Sequence, residues 1–242
     1  MHGFLIRILS AFIPCKRRRK NFRNRFLASR LRHINGENNI LDCPDDFRFN
    51  CFINGNGNRI VVEKSDLHWD VQLNVAIGLP DHPANNCTLK IGKNFTSNGT
   101  MIQICEDNTE VTIGDDCMFS AEVKLWASDT HTITDMEGKC INAGRFIHIG
   151  NHVWLGYGTS VLKNTVIPAG CVCGCQSVVS GRFDLSNSVI AGNPAKVCKK
   201  DINWNRKRPQ KYIAEHFKKE EECLRESLNI DSTKMQFENY WS

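Results

Sequence analysis

"IGNHVWLGYGTSVLKNTVIPAGCVCGCQSV", residues 149–178, repeats in steps of six. Starting at Ile149, the leading residues are Ile149, Leu155, Val161, Ile167, Cys173 and then Val179. Two residues before each later leader stand Val153, Thr159, Thr165, Cys171 and Ser177, all small or β-branched. Glycine follows the leader at Ile149, Leu155 and Cys173. A period of six fits neither an amphipathic helix nor a hairpin meander. It fits a coil with flat faces, in which each hexad is one short strand plus a turn. The leader points inward and stacks on its equivalent in the next coil, and the small residue sits where the chain rounds a corner. Stacked coils bury one continuous core. A β-sandwich would have to keep this register by accident through consecutive steps.

The same step appears upstream. Ile113, Phe119 and Leu125 lead "IGDDCM FSAEVK LWASDT", and Ile91 leads "IGKNFT". Residues 50–90 read as degenerate early coils. The register also interprets Cys171, Cys173 and Cys175, which alternate along the chain. Cys173 takes an inward leading position and Cys171 a corner position, so both read as buried small residues rather than metal or redox ligands.

Composition narrows the function classes. The chain has 242 residues, 41% of them apolar, and 12 cysteines. "MHGFLIRILSAFI", residues 1–13, is too short to span a bilayer and carries its positive charges behind it, in "CKRRRK", unlike a secretory leader. The expectation is a cytosolic protein with reduced thiols. The net charge of +5 conceals an asymmetry: residues 1–36 hold ten Lys/Arg and no Asp/Glu, and residues 37–195 hold ten basic and eighteen acidic side chains. Residues 196–242 hold eleven basic and eight acidic side chains. No CxxC pair and no glycine-rich phosphate loop after a strand occurs, so neither a structural zinc site nor nucleotide triphosphate binding is expected.

Four stretches follow one another over residues 88–200. They are "LKIGKNFTSNGTMIQICEDNTEVTIGDD", "ASDTHTI", "IHIGNHVWLGYGTSVLKNTVIPAG" and "VIAGNPAKV". This ordered set resembles the hexapeptide-repeat acyltransferases, in particular galactoside and maltose acetyltransferases and their polysaccharide-modifying relatives. The resemblance implies a left-handed parallel β-helix; general crossover preferences would favour the other hand. It also implies acetyl-CoA as acyl donor, no metal, and a homotrimer with active sites between adjacent β-helices.

Between Leu125 and Ile149 the hexads lapse into a polar inserted loop, residues 127–146, that contains His131. A solenoid tolerates such an insertion on one face, and such loops often carry function. The resemblance makes His131 the general base. A neutral imidazole suits the task, because an acceptor hydroxyl is a poor nucleophile until its proton is removed. Asp129 is the candidate to orient that ring. His148 and His152 read as outward-facing strand and turn residues, and His68 and His82 are not favoured.

Further roles come by resemblance alone. Asn98 would contact the acceptor sugar; an amide offers both donors and an acceptor to a hydroxyl. Trp154 would lie near the thioester and the acceptor. The backbone N–H of Tyr157 would be the oxyanion donor. The Tyr157 side chain departs from the small residue usual there. Gly156 and Cys175 would line the pantetheine arm of CoA, Cys175 replacing an alanine. Lys196, Lys199 and Lys200 would meet the CoA phosphates, after a bend fixed by Gly192 and Pro194.

The expected architecture is therefore mainly β. A basic, helical arm over residues 1–36 precedes a β-helix over residues 37–200. A helical extension follows over residues 201–242, with Tyr212, Ile213, Phe217, Leu224 and Leu228 on its apolar face. The arm, residues 1–33, suits peripheral contact with an anionic membrane surface or a cap on the solenoid. Nucleic acid is not an expected partner. The expected activity is O-acetylation of a sugar hydroxyl in a surface polysaccharide (capsule, O-antigen or exopolysaccharide) or its precursor, on the cytoplasmic side of the membrane. A sugar-nucleotide N-acetyltransferase and a non-catalytic scaffold are the alternatives.

Overall fold

Each hexad becomes a strand of two to four residues and a turn, and three hexads make one coil. A computed structural model describes residues 32–67 and 71–207. The helical arm expected before residue 32, His68, and the part of the expected helical extension beyond residue 207 lie outside the described residues; residues 201–207, assigned to that extension, form no helix. The chain divides into two units, Met1–Asn203 and Trp204–Ser242. In the second, the Arg206 guanidinium lies 5.8 Å from the centre of the Trp204 ring.

The first unit is a parallel β-helix of triangular section. Its first face stacks Arg32–Asn35, Asn50–Asn54, Gln72–Ile77, the later part of Thr96–Ile104, Val123–Trp126, Ser160–Leu162 and Val178–Val179. The second stacks Ile40–Asp42, Arg59–Val62, Thr88–Ile91, Glu110–Ile113, Phe146–Ile149 and Thr165–Ile167. The third begins with Thr96 and Ser97 and continues through Met118–Phe119, Trp154–Leu155, Val172–Cys173 and Val189–Gly192. Successive leaders of the quoted stretch fall on the second, third and first faces in rotation.

Leaders stack on leaders. Ile91, Ile113, Ile149 and Ile167 form one inward column. Phe119, Leu155, Cys173 and Ile190 form another. All are buried. Leu155 is fully buried between Phe119 and Cys173. Leu155→Ala is expected to cost about 3 kcal/mol, since coils held by ladders above and below close poorly around a cavity. Urea unfolding of the two proteins measures it, and a loss of well under 1 kcal/mol would contradict the stacked core.

The corners explain the rest of the hexad. At the second-to-third corner, Lys93 N–H donates to Asp115 Oδ1 (2.8 Å), and Asp115 N–H donates to Asn151 Oδ1 (2.9 Å). Each carboxylate or amide thus braces the turn of the coil before it. A Cβ on Gly114 would stand 2.3 Å from Asn151 Oδ1, which is why glycine follows the leader here. The next residue is left-handed in successive coils: Asn94, Asp116, His152 and Gly170 have φ between 54° and 72°. Asn, Asp, His and Gly tolerate that region best. Small hydroxyl residues fit the corners because they satisfy turn carbonyls; buried Thr159 Oγ1 donates to Gly156 O (2.8 Å).

Two boundaries differ from the sequence reading. Arg32–Asn35, assigned to the arm, is the first strand of the β-helix. Its side chains are exposed, so it lacks the buried leader that marks later coils. Phe146, counted with the inserted loop, opens the strand Phe146–Ile149. At the far end the peptide Asn193–Pro194 is cis and Gly192 has φ 107°. The chain reverses there, and Ala195–Lys199 pairs antiparallel with Val189–Gly192.

Candidate active site

The loop that carries His131 leaves the first face after Trp126 and rejoins at the second face with Phe146. It therefore projects from the edge between those faces. Its neck is pinned by one carboxylate from the coil before. Glu106 accepts from Ser128 Oγ (2.6 Å) and from Gly144 N–H (2.7 Å). Asn164, one coil later, accepts from Arg145 N–H (3.0 Å). Inside the loop, Asn142 Nδ2 donates to the carbonyl of His131 and to Asp129 Oδ2 (both 2.9 Å). Asn142 Oδ1 accepts from Ile133 N–H (2.8 Å). Thr130, immediately before His131, is left-handed with φ 63°. His131 is exposed.

Asp129 does not orient the His131 ring within the chain. The left-handed turn at Thr130 sends its carboxylate to Lys163 and Asn142 instead. Hydrogen bonding from Lys163 holds the Asp129 carboxyl below the usual carboxylate range. Among the other histidines, His152 is the expected turn residue, with Nδ1 2.6 Å from Asp116 Oδ2. His148 faces outward beside Glu110, and His82 is exposed beside Asp81.

Most of the remaining candidates gather along a different edge, between the third and first faces. Trp154 is half-buried on the third face and donates from Nε1 to Ser120 Oγ (3.2 Å). The chain then turns through Gly156, Tyr157 and Gly158. Gly156 N–H donates to Cys173 O (2.9 Å) and Gly158 N–H to Ala121 O (3.0 Å). The Tyr157 N–H between them donates to no described residue. The Tyr157 phenol is exposed, and hydrogen bonding to Glu122 raises its pKa. A Cβ on Gly156 would stand 2.8 Å from Cys173 O, so its small size serves coil stacking.

Asn98 lies on this same edge two coils earlier, exposed beside Gly99. Cys175 lies one coil later, exposed, whereas Cys171 and Cys173 are fully buried. Burial pushes the Cys173 thiol up. Lys196 and Lys199 are exposed on the final antiparallel strand, with Lys200 just beyond. Native alkylation is expected to modify Cys175 while sparing Cys171 and Cys173, and CoA is expected to slow it. Peptide mass spectrometry with and without CoA reads this out; equal labelling of the three would overturn the register.

One chain therefore brings together Asn98, Trp154, Tyr157, Cys175 and Lys196; Lys199, paired with Val189, and Lys200 lie toward the opposite end of the third face, and His131 with Asp129 stands on a separate edge. Glu106, Ser128, Asn142 and Lys163 escaped the sequence reading. No spacing in the sequence sets them apart, and each is joined to the loop by a contact distant in sequence or internal to it.

No family model matches the chain. Over 156 aligned positions it is 31% identical to WbbJ of Escherichia coli K12, assigned to lipopolysaccharide biosynthesis O-acetyl transfer. That alignment covers 51% of this chain and 78% of WbbJ. The chain belongs to the hexapeptide-repeat acetyltransferases. It is also 40% identical over 124 residues to the polysialic acid O-acetyltransferase of Neisseria meningitidis, covering 51% of this chain and 57% of that protein. The polysialic acid O-acetyltransferase of Escherichia coli O1:K1 / APEC is 36% identical over 112 residues, 46% of this chain and 36% of that protein. The chain thus spans about half or less of the length of those two relatives. Among solved structures, the polysialic acid-specific acetyltransferase NeuO superposes with a TM-score of 0.58 at 26% identity, covering 82% of this chain and 97% of that one. The polysialic acid O-acetyltransferase OatWY superposes with a TM-score of 0.54 at 29% identity, covering 73% and 93%.

Proposed function

We propose that the protein is an acetyl-CoA-dependent O-acetyltransferase of a surface polysaccharide or its precursor, and that it works as a homotrimer. The observation that carries this is the split of the site between two edges that flank one face. His131 stands at one border of the first face; Trp154 and the unclaimed Tyr157 N–H stand at the other. On that face Phe52, Ala76, Trp126 and Leu162 share one outward column, interrupted by Gln103. Three copies in a closed ring, each with this apolar column toward the axis, set the His131 edge of one against the Trp154 edge of the next.

The chemistry follows from that arrangement. His131 takes the proton of the acceptor hydroxyl as its oxygen attacks the thioester carbonyl carbon. The Tyr157 N–H donates a hydrogen bond to the oxyanion that forms. The C–S bond breaks, His131 returns the proton to the departing thiolate, and free CoA and an O-acetyl ester result. No acyl-enzyme is needed. Asn98 and Trp154 hold the acceptor. The exposed Lys196, Lys199 and Lys200 fit the phosphates of CoA, with Cys175 beside its pantetheine arm.

The relatives named polysialic acid O-acetyltransferases make an acidic sugar polymer the first acceptor to try. Thiol release from acetyl-CoA is measured across acidic polysaccharides, neutral sugars and amino-sugar nucleotides. The expected result is stoichiometric thiol and ester with a polysaccharide. An amide product would favour the N-acetyltransferase alternative, and no turnover with no CoA binding would favour a scaffold.

We also place the protein on the cytoplasmic side, with the basic residues 1–31 touching anionic headgroups. Fractionation of the full chain against residues 32–242 tests this. Equal solubility of the two in membrane-containing extract would sink the membrane contact.

A further inference from the structure

We propose that Glu106 is a positioning residue for His131, acting through Ser128 and the left-handed turn at Thr130. This rests on His131 being the base. The chain of contacts is short and continuous. The Glu106 carboxylate, half-buried in the coil before the loop, accepts the Ser128 hydroxyl proton at 2.6 Å. The Ser128 oxygen accepts from Thr130 N–H at 2.9 Å. Thr130 is β-branched and sits at φ 63°, a conformation that such a residue rarely adopts unless its surroundings impose it. His131 is the next residue.

The second oxygen of Glu106 closes the other stem of the loop by accepting Gly144 N–H at 2.7 Å. A Cβ on Gly144 would stand 2.2 Å from Ala127 O, so the two stems are in contact at the neck. From the far side, Asn142 holds the His131 carbonyl. Glu106 thus fixes the segment before the imidazole, and Asn142 fixes the segment after it. An exposed base on a 19-residue excursion needs such bracing, because misplacement by about 1 Å costs about a hundredfold in rate. An ionised carboxylate suits the neck because it accepts from two donors at once and supplies charge-assisted bonds.

The test compares the full-length protein with Glu106→Ala and Ser128→Ala, each made in the wild-type and in the His131→Ala background. Glu106→Ala is expected to lower kcat about ten- to a hundredfold with the KM for acetyl-CoA nearly unchanged. In the His131→Ala background it is expected to cost nothing further, because a residue that acts through His131 has nothing left to position. Ser128→Ala is expected to follow the same pattern more mildly. Amide exchange is the second readout: Thr130 and Ile133 are expected to exchange faster in Glu106→Ala while the coil amides keep their protection. An equal further loss in the His131→Ala background, or an unchanged kcat in a folded Glu106→Ala protein, would overturn the positioning role and leave the assignment of His131 intact. Wild-type turnover by His131→Ala alone would overturn the base itself, and the positioning role with it.

Discussion

Replacing His131 with alanine is expected to lower kcat for acetyl transfer by about 10³-fold, with little change in the KM for acetyl-CoA. General base catalysis by a positioned side chain contributes about 10²–10⁴-fold. A sugar hydroxyl lies at the demanding end of that range, because it attacks poorly while it keeps its proton. No other described imidazole is placed to substitute. His152 is engaged with Asp116 at a different corner. His148 faces outward from the second face, and His82 stands exposed in an early coil. The side chain of His131 is exposed on a loop and contributes nothing to the stacked core, so the variant should unfold at the wild-type temperature. Initial rates of thiol release, paired with thermal unfolding, read both quantities. A loss below about tenfold in a folded variant would remove His131 from the role of base.

The β-helix was legible because its core is written in the leaders. Ile149, Leu155, Val161, Ile167, Cys173 and Val179 are all buried, as their step of six required. The same register separated buried Cys171 and Cys173 from exposed Cys175, although cysteine chemistry alone gives no reason to distinguish them. The first coils were harder to read. Between Asn54 and Arg59, and between Ile77 and Thr88, turns of unequal length break the count of six. Arg32–Asn35 stacks on Cys51–Asn54 through backbone pairing while exposing its own side chains, so polarity hid it.

The site was legible in its parts and not in its wiring. Asp129 stands two residues from His131, and that adjacency suggested an orienting bond. The positive φ of Thr130 turns the two apart, and the carboxylate finds Lys163, 34 residues on. Glu106 reaches its partners across 22 and 38 residues. No local spacing encodes such contacts; they exist because successive coils bring turns of the same edge together. The separation of His131 from Trp154 is likewise a property of winding. Both lie near hexads in the sequence, and only the rotation of the three faces puts them on different edges.

That separation gives the second large expected effect. His131→Ala and Trp154→Ala are each expected to be nearly inactive, yet a mixture of the two should recover activity. If a site takes His131 from one copy and Trp154 from its neighbour, random assembly leaves both groups intact in about a quarter of the sites. Recovery should therefore approach about 25% of the wild-type rate once the two variants are co-expressed or co-refolded in equal amounts. Mixing folded trimers without exchange should give nothing until subunits redistribute, so the rise in activity should track the appearance of mixed species in native mass spectrometry. A site contained in one chain predicts no recovery at any mixing ratio, because every chain would lack one of its two groups. Mixed trimers that form and remain inactive would thus refute the shared site while leaving the fold untouched. The apolar column of the first face adds an internal control. Trp126→Glu places a charge on the surface that the proposed ring would turn toward its axis, and burying it there unpaired is costly. That substitution, made in both variants, should abolish the recovery and the mixed trimers together.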